Sequence, residues 1–328
     1  MKNNKFIFRN LILKILFLTS KKPEYQAEYL ELTILNGMRK LIGENFVDYP
    51  RKNVAYGDFS EIEKNKLHGK GFTILRHPIE DIDRKNVLNT KYDAILYGTG
   101  HAIGEDYYIP KYDKLTTGKI WILDGHDLYG NAKIKKIFNN EDVIGNQFKF
   151  SFKRELVFEE ESVFPTGYGI PEEVILPIDL DKKSQLIQTT HPNYSNFEVI
   201  RDLASGHKHH IFEDEDEYYK DLSKSWFGLT CKKGGWDCMR HYEIIAAGTL
   251  LLFRDYSDKP QLCSPQNLPT ISYSSKRELK KIMKSLVRRN KPTQEYLDLL
   301  NAQRNWLLNS GTTTARAKDL LNIIKKNI

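Results

Sequence analysis

The chain has 328 residues, of which 40% are hydrophobic and 28% are charged, a composition that excludes a disordered chain. Its length allows two domains, each with a full core. The formal net charge of +7 is modest and spread along the sequence, so it suits an anionic ligand or an anionic membrane surface. We find no nucleic-acid-binding motif and therefore expect no nucleic-acid partner.

Cysteine usage and hydropathy indicate the compartment. The three cysteines, Cys231, Cys238 and Cys263, form no CxxC pair, so neither a disulfide framework nor a zinc site is expected. No stretch approaches the roughly 18 consecutive apolar residues that a membrane-spanning helix requires. We therefore expect a cytoplasmic protein.

The first half has the pattern of a doubly wound α/β domain. An apolar run at residues 12–18 predicts a strand, and the stretch 29–41 predicts a largely buried helix that ends at Gly43. Strands that alternate with helices predict a parallel sheet. Further strands are expected at residues 46–49, 92–98, 119–123 and 148–152.

The segment 164–173, FPTGYGIPEE, is rich in Pro and Gly and predicts a hinge between two domains. We expect an acceptor-side domain over residues 1–165, a donor-binding domain over 166–310, and a last helical segment over 311–328. In the second half, strands are predicted at 184–190, near 211 and within 268–275. Helices are predicted after residue 211, from Ser275 with Glu278 completing a capping box, and through the last fifty residues.

Residues 226–253, WFGLTCKKGGWDCMRHYEIIAAGTLLLF, have the pattern of a parallel βαβ unit. A strand at 226–231 leads into a glycine turn, a helix opened by Asp237 and closed near Gly248, and a second strand at 249–253. Ligands of such sheets bind at the carboxyl ends of the strands. The residues predicted at that site are Gly234, Gly235, Trp236, Asp237 and Arg240.

This unit resembles the C-terminal half of the GT-B glycosyltransferases, in the group with a glycosyltransferase-family-1-like or exostosin-like C-terminal half. The residues that carry the resemblance are Phe227, Gly228, Leu229, Gly234, Gly235, Arg240, Glu243 and Gly248. The resemblance implies two Rossmann-like α/β domains that face a cleft, followed by C-terminal helices. It implies that Glu243 binds the ribose hydroxyls of a nucleotide-sugar donor and that the glycine loop faces the diphosphate and the sugar. Gly235 departs from the pattern, because retaining members carry the first of two glutamates there.

The spacing of Asp237, Arg240 and Glu243 places them on one side of the predicted helix. Backbone N–H groups of the glycine turn can hold phosphate, and Arg240 can add a charge-assisted hydrogen bond to the departing diphosphate. Alternatively, Asp237 is an N-cap, and Arg240 and Glu243 form a surface ion pair. Trp236 either stacks on the donor or is buried.

Other cations are weaker candidates for a phosphate contact. Lys153 and Arg154 follow a predicted strand of the first half, and His191 follows the first predicted strand of the second half. The histidines at 207–210 precede an acidic run and are interpreted as a solvated loop rather than a metal site.

Candidate bases follow the predicted strands of the first half. Asp124, His126 and Asp127 come directly after residues 119–123, and His101 follows 92–98. An aspartate beside a histidine can orient the ring and raise its basicity, so we predict His126 or Asp127 as the base. A turn followed by a helix-capping aspartate explains the same residues structurally.

The leading hypothesis is a metal-independent glycosyltransferase of surface-glycan synthesis that needs no cofactor. Its partners are a UDP- or GDP-sugar donor and a glycan or lipid-linked acceptor. One alternative is a GT-A type transferase that binds a metal through Asp179 and Asp181 after a strand at 174–178. Another is a non-catalytic nucleotide-sugar-binding subunit. The basic, amphipathic segment 317–328 suits either peripheral contact with an anionic membrane or packing back on the first domain.

Overall fold

The structure is a computed structural model that describes residues 13–19, 28–59, 67–98, 112–127, 148–189 and 212–328. His101, His191 and the histidines at 207–210 lie outside these ranges, as does the strand predicted near residue 211. Their predicted roles therefore stay predictions.

Within the described residues of the first half, six strands form one parallel sheet: β1 (Ile15–Leu18), β2 (Phe46–Tyr49), β3 (Ala94–Gly98), β4 (Ile120–Asp124), β5 (Phe148–Lys153) and β6 (Val163–Pro165). Their spatial order is β2-β1-β3-β4-β5-β6. All four residues of β1 are buried, which is typical of a parallel strand covered on both faces. β1 pairs with β2 on one side and β3 on the other, so the strand order reverses beside it.

The second sheet contains, among the described residues, four parallel strands: β7 (Gln185–Ile187), β8 (Ser225–Thr230), β9 (Leu250–Arg254) and β10 (Ile271–Tyr273). Their order is β10-β9-β8-β7. A short hairpin, β11 (Val287–Arg288) with β12 (Lys291–Pro292), follows. The described helices are α1 (Tyr29–Ile42), α2 (Glu215–Ser223), α3 (Met239–Ala246), α4 (Lys276–Leu286), α5 (Gln294–Trp306) and α6 (Thr313–Asn327).

Glycine allows α3 to pack closely on the second sheet. A Cβ atom at Gly228 in β8 would lie 2.2 Å from Cγ2 of Ile244 in α3, so any larger side chain would push the helix away. This contact holds the C-terminal half of α3 close against β8.

The C-terminal helix α6 returns to the first half and packs against α1. A Cβ atom at Gly37 of α1 would lie 2.0 Å from the backbone oxygen of Thr313, and Thr313 Oγ1 donates to Asn36 Oδ1 at 2.7 Å. Ala317, Leu320, Leu321 and Ile324 are buried. The apolar side of α6 is therefore turned inward, and its polar side faces solvent. Across the described ranges, no helix is both long and apolar enough to cross a membrane.

Several predicted elements are confirmed. The helix α1 ends at Gly43, whose φ of 56° favours glycine. Ser275 caps α4 by accepting from Glu278 N, as predicted, while Glu278 Oε2 accepts from Ser274 N, one residue before the N-cap whose N–H the predicted capping box would use.

Three predicted elements are wrong. Residues 174–178 form no strand, and Leu176 N instead donates to the oxygen of Ala246. Asp237 does not open α3, because the helix begins at Met239 with Cys238 as its N-cap. The predicted hinge over 164–173 begins within a strand, because β6 extends to Pro165.

Candidate active site at the junction of the two sheets

The carboxyl edges of the two sheets face each other. From the first sheet, β4 ends at Asp124 and β5 ends at Lys153, each followed by further polar residues. From the second sheet, β8 ends at Thr230 and leads into the loop 231–237, here called the glycine loop. Since the open edge of a parallel sheet is the usual ligand site, the junction is the candidate active site.

A carboxylate of the first half occupies the backbone amides of the glycine loop. Trp236 N donates to Glu155 Oε2 and Asp237 N donates to Glu155 Oε1, both at 3.0 Å. Arg154, which is fully buried, donates to Glu155 Oε1 at 2.9 Å and to the oxygen of Asp237 at 3.0 Å. The N–H groups that were expected to hold phosphate therefore hold Glu155.

Both glycines of the loop are explained by this close approach. A Cβ atom at Gly234 would lie 2.3 Å from Asp127 Oδ2, and one at Gly235 would lie 2.3 Å from Glu155 Oε1. Arg154 also forms an ion pair with Asp127. Gly235 is therefore required by the carboxylate that it contacts, which accounts for the absence of a glutamate at that position.

Asp237 is buried at the junction and connects several segments through hydrogen bonds. Its Oδ1 accepts from Tyr242 OH and its Oδ2 from Tyr168 N, both at 2.8 Å. Arg316 of α6 donates to the oxygen of Tyr168 at 2.9 Å and to Tyr242 OH at 3.2 Å. Both oxygens of Asp237 are therefore engaged within the protein. Asp237 thus holds the glycine loop against α6 and against residues 166–178 after β6, here called the connector.

Trp236 is packed within the protein. Its ring is buried and lies 6.2 Å from the ring of Phe253, with Lys232 Nζ 5.2 Å from the indole centroid. This position agrees with the burial interpretation of Trp236 rather than with stacking on a donor.

Asp124, His126 and Lys153 form a compact buried cluster at the first-half edge. Asp124 Oδ1 lies 2.8 Å from His126 Nδ1, and Asp124 Oδ2 lies 2.8 Å from Lys153 Nζ. Lys153 Nζ also donates to the oxygen of His126 at 3.2 Å. Burial alone would raise the pKa of Asp124, but the hydrogen bond from His126 and the charge of Lys153 outweigh it, and the pKa is lowered. Asp124 is thus an ionised group that orients the His126 ring.

Glu243 lies where the first half reaches α3. Its Oε1 accepts from Thr73 Oγ1 at 2.7 Å and its Oε2 accepts from Tyr218 OH at 2.6 Å. Burial raises the pKa of Glu243, and the hydrogen bonds from Tyr218 and Thr73 oppose that rise. Hydroxyl groups thus already occupy both oxygens that were assigned to ribose hydroxyls.

Two arginines at the second-half edge keep unused hydrogen-bond donors. Arg240 Nη1 and Arg254 Nη1 are buried atoms with no hydrogen-bond partner in the described part of the chain. Burial raises the pKa of the Cys231 thiol to about 12, and Arg240, Arg254 and Lys233 oppose that rise, so these cations surround the end of β8. A buried guanidinium with a free N–H favours an anionic ligand that supplies the missing acceptor.

Several residues of this junction were not found from the sequence. Arg254 ends an apolar strand, so the strand-end rule applied to β9 would have identified it. Glu155 follows the end of β5, so the strand-end rule would have identified it as well. Thr73 and Tyr218 carry no local signal, because each reaches the junction through the fold alone. Arg154, a minor candidate from the sequence, is the residue that joins the two edges.

Asp179 and Asp181 do not resemble a metal-binding pair. Asp179 forms an ion pair with Lys182 at 3.0 Å and accepts from Asp181 N at 3.2 Å in an exposed turn. Among the residues described, no group of three or more histidine, cysteine or acidic side chains is arranged to hold a metal ion. Since residues 174–178 are also not a strand, the structure does not fit the GT-A alternative.

No protein-family model and no curated protein matches this sequence. Solved structures do resemble it. Anabaena Alr3699/HepE in complex with UDP and glucose gives a TM-score of 0.51 at 10% identity, covering 96% of this chain and 100% of that chain. HepE in complex with UDP-glucose gives 0.52 at 10% identity over the same shares. A glycosyltransferase from Rickettsia africae gives 0.53 at 13% identity, covering 95% of this chain and 97% of that chain.

The similarity extends over nearly the full length of both chains, so it concerns the whole fold. Two parallel α/β sheets joined by a connector and followed by C-terminal helices form the GT-B fold that the sequence predicted. The fold class is therefore confirmed.

Proposed function

We propose that this chain is a glycosyltransferase that moves a sugar from a nucleotide-sugar donor to a hydroxyl group of an acceptor. The observation that carries this proposal is the presence of unused, buried guanidinium N–H groups of Arg240 and Arg254 at the carboxyl edge of the second sheet. A diphosphate supplies acceptors that match a guanidinium in charge and geometry.

We further propose that the donor is a UDP-sugar, because HepE has been crystallised with UDP-glucose and with UDP and glucose. In this proposal Glu243 accepts the ribose hydroxyls in place of the hydroxyls of Thr73 or Tyr218. Arg240 and Arg254 contact the diphosphate, while Trp236 and Asp237 position the glycine loop. His191 remains a predicted donor contact.

The proposed base is His126, with Asp124 as its positioning residue. The hydrogen bond at Nδ1 favours the tautomer in which Nε2 can accept a proton. In an inverting reaction the acceptor oxygen attacks the anomeric carbon as Nε2 takes its proton. The bond from that carbon to the diphosphate oxygen breaks, and Arg240 stabilises the charge on the departing diphosphate. Asp127 is less suited as a base because Arg154 neutralises it.

We propose a glycan or lipid-linked acceptor, a role in surface-glycan synthesis in the cytoplasm, and transfer without a metal. The arginines of the second-half edge support transfer without a metal, since they supply positive charge where the leaving group would form. A C-terminal half of the family-1-like or exostosin-like kind is likewise a proposal, carried by Arg240 and Glu243.

The test is UDP release from UDP-glucose with a panel of hydroxyl acceptors, measured for wild type, His126→Gln and the exposed control Arg288→Ala. We expect His126→Gln to lower turnover by about 10²–10⁴-fold with unchanged UDP affinity, because general base catalysis contributes that much. Normal turnover in His126→Gln would discard this base. UDP binding without turnover of any candidate donor would favour the non-catalytic subunit.

A further inference from the structure

A cavity beside the junction of the sheets runs along one side of α2 and has a volume of about 550 Å³. Its walls come from four parts of the chain: residues 76–77 of the first half, residues 173–176 of the connector, Lys182, and α2 with Lys224 at its end. This volume lies in the range of small-molecule sites. The volume therefore allows a ligand of about the size of one substituted sugar ring.

The cavity extends away from the donor site. Lys224, in its wall, is the residue just before β8 and thus lies at the amino edge of the second sheet. Lys182 is also in the wall. The next residue in the chain, Lys183, donates from Nζ to the oxygens of Ser225 and Gly248 at that same edge. Arg240 and Arg254, each with an unused Nη1 group, lie at the opposite, carboxyl edge. A ligand bound at the Lys224 end therefore does not occupy the donor site.

The walls carry positive charge that the protein does not neutralise. Both acidic residues of the wall are engaged by cations: Glu173 pairs with Lys40 at 2.7 Å, and Asp216 pairs with Arg76. In contrast, Lys220 and Lys224 form no ion pair with any described residue. The two lysines are four residues apart and so lie on the same side of the α2 end.

The wall also holds a histidine nitrogen with an unused hydrogen-bonding position. Nε2 of His77 is buried and has no hydrogen-bond partner among the residues described. A buried polar atom without a partner costs free energy, which an entering ligand with a complementary group would recover. Two lysines and a histidine together are suited to a phosphate group.

The rest of the wall is apolar. Val174, Leu176 and Tyr219 line the cavity beside the basic residues. Aliphatic and aromatic side chains are suited to the C–H face of a sugar ring, while the basic group fixes its charged substituent. We propose that this cavity binds a phosphorylated monosaccharide, with the phosphate at Lys220, Lys224 and His77 and the ring against Tyr219 and Leu176. This site does not depend on the proposed transferase activity.

The test is isothermal titration calorimetry with the full chain. Glucose 6-phosphate, inorganic phosphate and glucose are each titrated into wild type, into K220A/K224A, and into K325A/K326A, a control with two exposed lysines of α6. We expect saturable binding of glucose 6-phosphate to wild type, at least about tenfold weaker binding of phosphate, and no binding of glucose. K220A/K224A should weaken glucose 6-phosphate binding by at least about tenfold, and the control should not.

Melting temperatures of both double variants establish whether they are folded; Lys220, Lys325 and Lys326 are exposed and Lys224 is half-buried. Absence of saturable binding to wild type, or equal affinity in K220A/K224A, would overturn the site. Phosphate that binds as tightly as glucose 6-phosphate would overturn the sugar contact. Repeating the titration with saturating UDP should leave the affinity unchanged, whereas competition would assign the ligand to the junction instead.

Discussion

The two edges that meet at the junction use charged residues in opposite ways. At the first-half edge Asp124, Lys153, Arg154 and Glu155 are buried and bonded to one another or to the glycine loop. At the second-half edge, in the part of the chain that the structure describes, Arg240 retains a buried donor without an acceptor. The charged residues of the first edge therefore stabilise the contact between the two halves. Because an unsatisfied buried donor costs free energy, the second edge favours the binding of a ligand that supplies an acceptor.

Arg154→Met should cause the largest change and tests the first edge. It removes the donor to Glu155, to Asp127 and to the oxygens of Gly125 and Asp237, and leaves Glu155 as a buried charge without its cation. Breaking a buried ion pair on one side costs about 3–5 kcal/mol. Urea unfolding measures this loss. Arg288→Ala, an exposed control, should change the free energy of unfolding by less than about 0.5 kcal/mol. A comparable loss in the control would remove the contrast.

Arg254→Met tests the second edge through binding. If this guanidinium contacts a diphosphate, its removal deletes a charge-assisted hydrogen bond, which contributes about 1.5–3 kcal/mol. We therefore expect UDP affinity to fall by at least about tenfold in a calorimetric titration. An affinity equal to that of wild type would exclude Arg254 from the proposed donor site.

Glu215→Gln tests the first turn of α2, beside the junction. Burial raises the pKa of Glu215 to about 7, and the hydrogen bond from Thr73 N opposes that rise. The folded protein therefore holds a proton that the unfolded chain releases near its ordinary pKa of 4.5. The stability associated with this proton is full below pH 4.5 and is lost as the pH rises through about 7.

Urea unfolding of wild type and Glu215→Gln at pH 5 and pH 8 measures this effect. The amide cannot titrate, so Glu215→Gln should be more stable than wild type at pH 8 and similar to it at pH 5. The difference should be smaller than the loss in Arg154→Met. A variant that is less stable than wild type at pH 8 would show that the charged carboxylate stabilises the fold.

Arg240→Met should have the smallest effect on stability and completes the comparison of the edges. The substitution removes a buried donor that lacks a partner, and Glu243 keeps its hydrogen bonds from Thr73 and Tyr218. We expect the free energy of unfolding to fall by less than about 1 kcal/mol or to rise. A loss as large as that of Arg154→Met would mean that both edges serve cohesion.

Local patterns predicted most of the secondary structure. The helix α1, its end at Gly43 and the cap at Ser275 depend on neighbouring residues and were read directly from the sequence. The apolar run at 174–178 predicts a strand, but these residues belong to the connector, where Leu176 N donates to the oxygen of Ala246 and Pro177 has no N–H to pair. Apolar runs this short do not distinguish strands from packed connectors.

The internal chemistry of the site could not be predicted. Asp237 is bonded to Tyr168, 69 residues earlier, and its N–H to Glu155, 82 residues earlier. Only the packing of the two sheets brings these groups together. The sequence therefore placed the glycine loop, Arg240 and Glu243 after the end of a strand. It did not predict that a carboxylate accepts hydrogen bonds from the amides of the loop.

The most direct test of this account is calorimetric titration of UDP into wild type and into Arg240→Met. We expect saturable binding to wild type and at least about tenfold weaker binding to the folded variant, because the unused N–H groups of this edge are proposed to bind the diphosphate. Equal affinity in the two proteins, or no binding to either, would contradict the assignment of the second-half edge as the donor site.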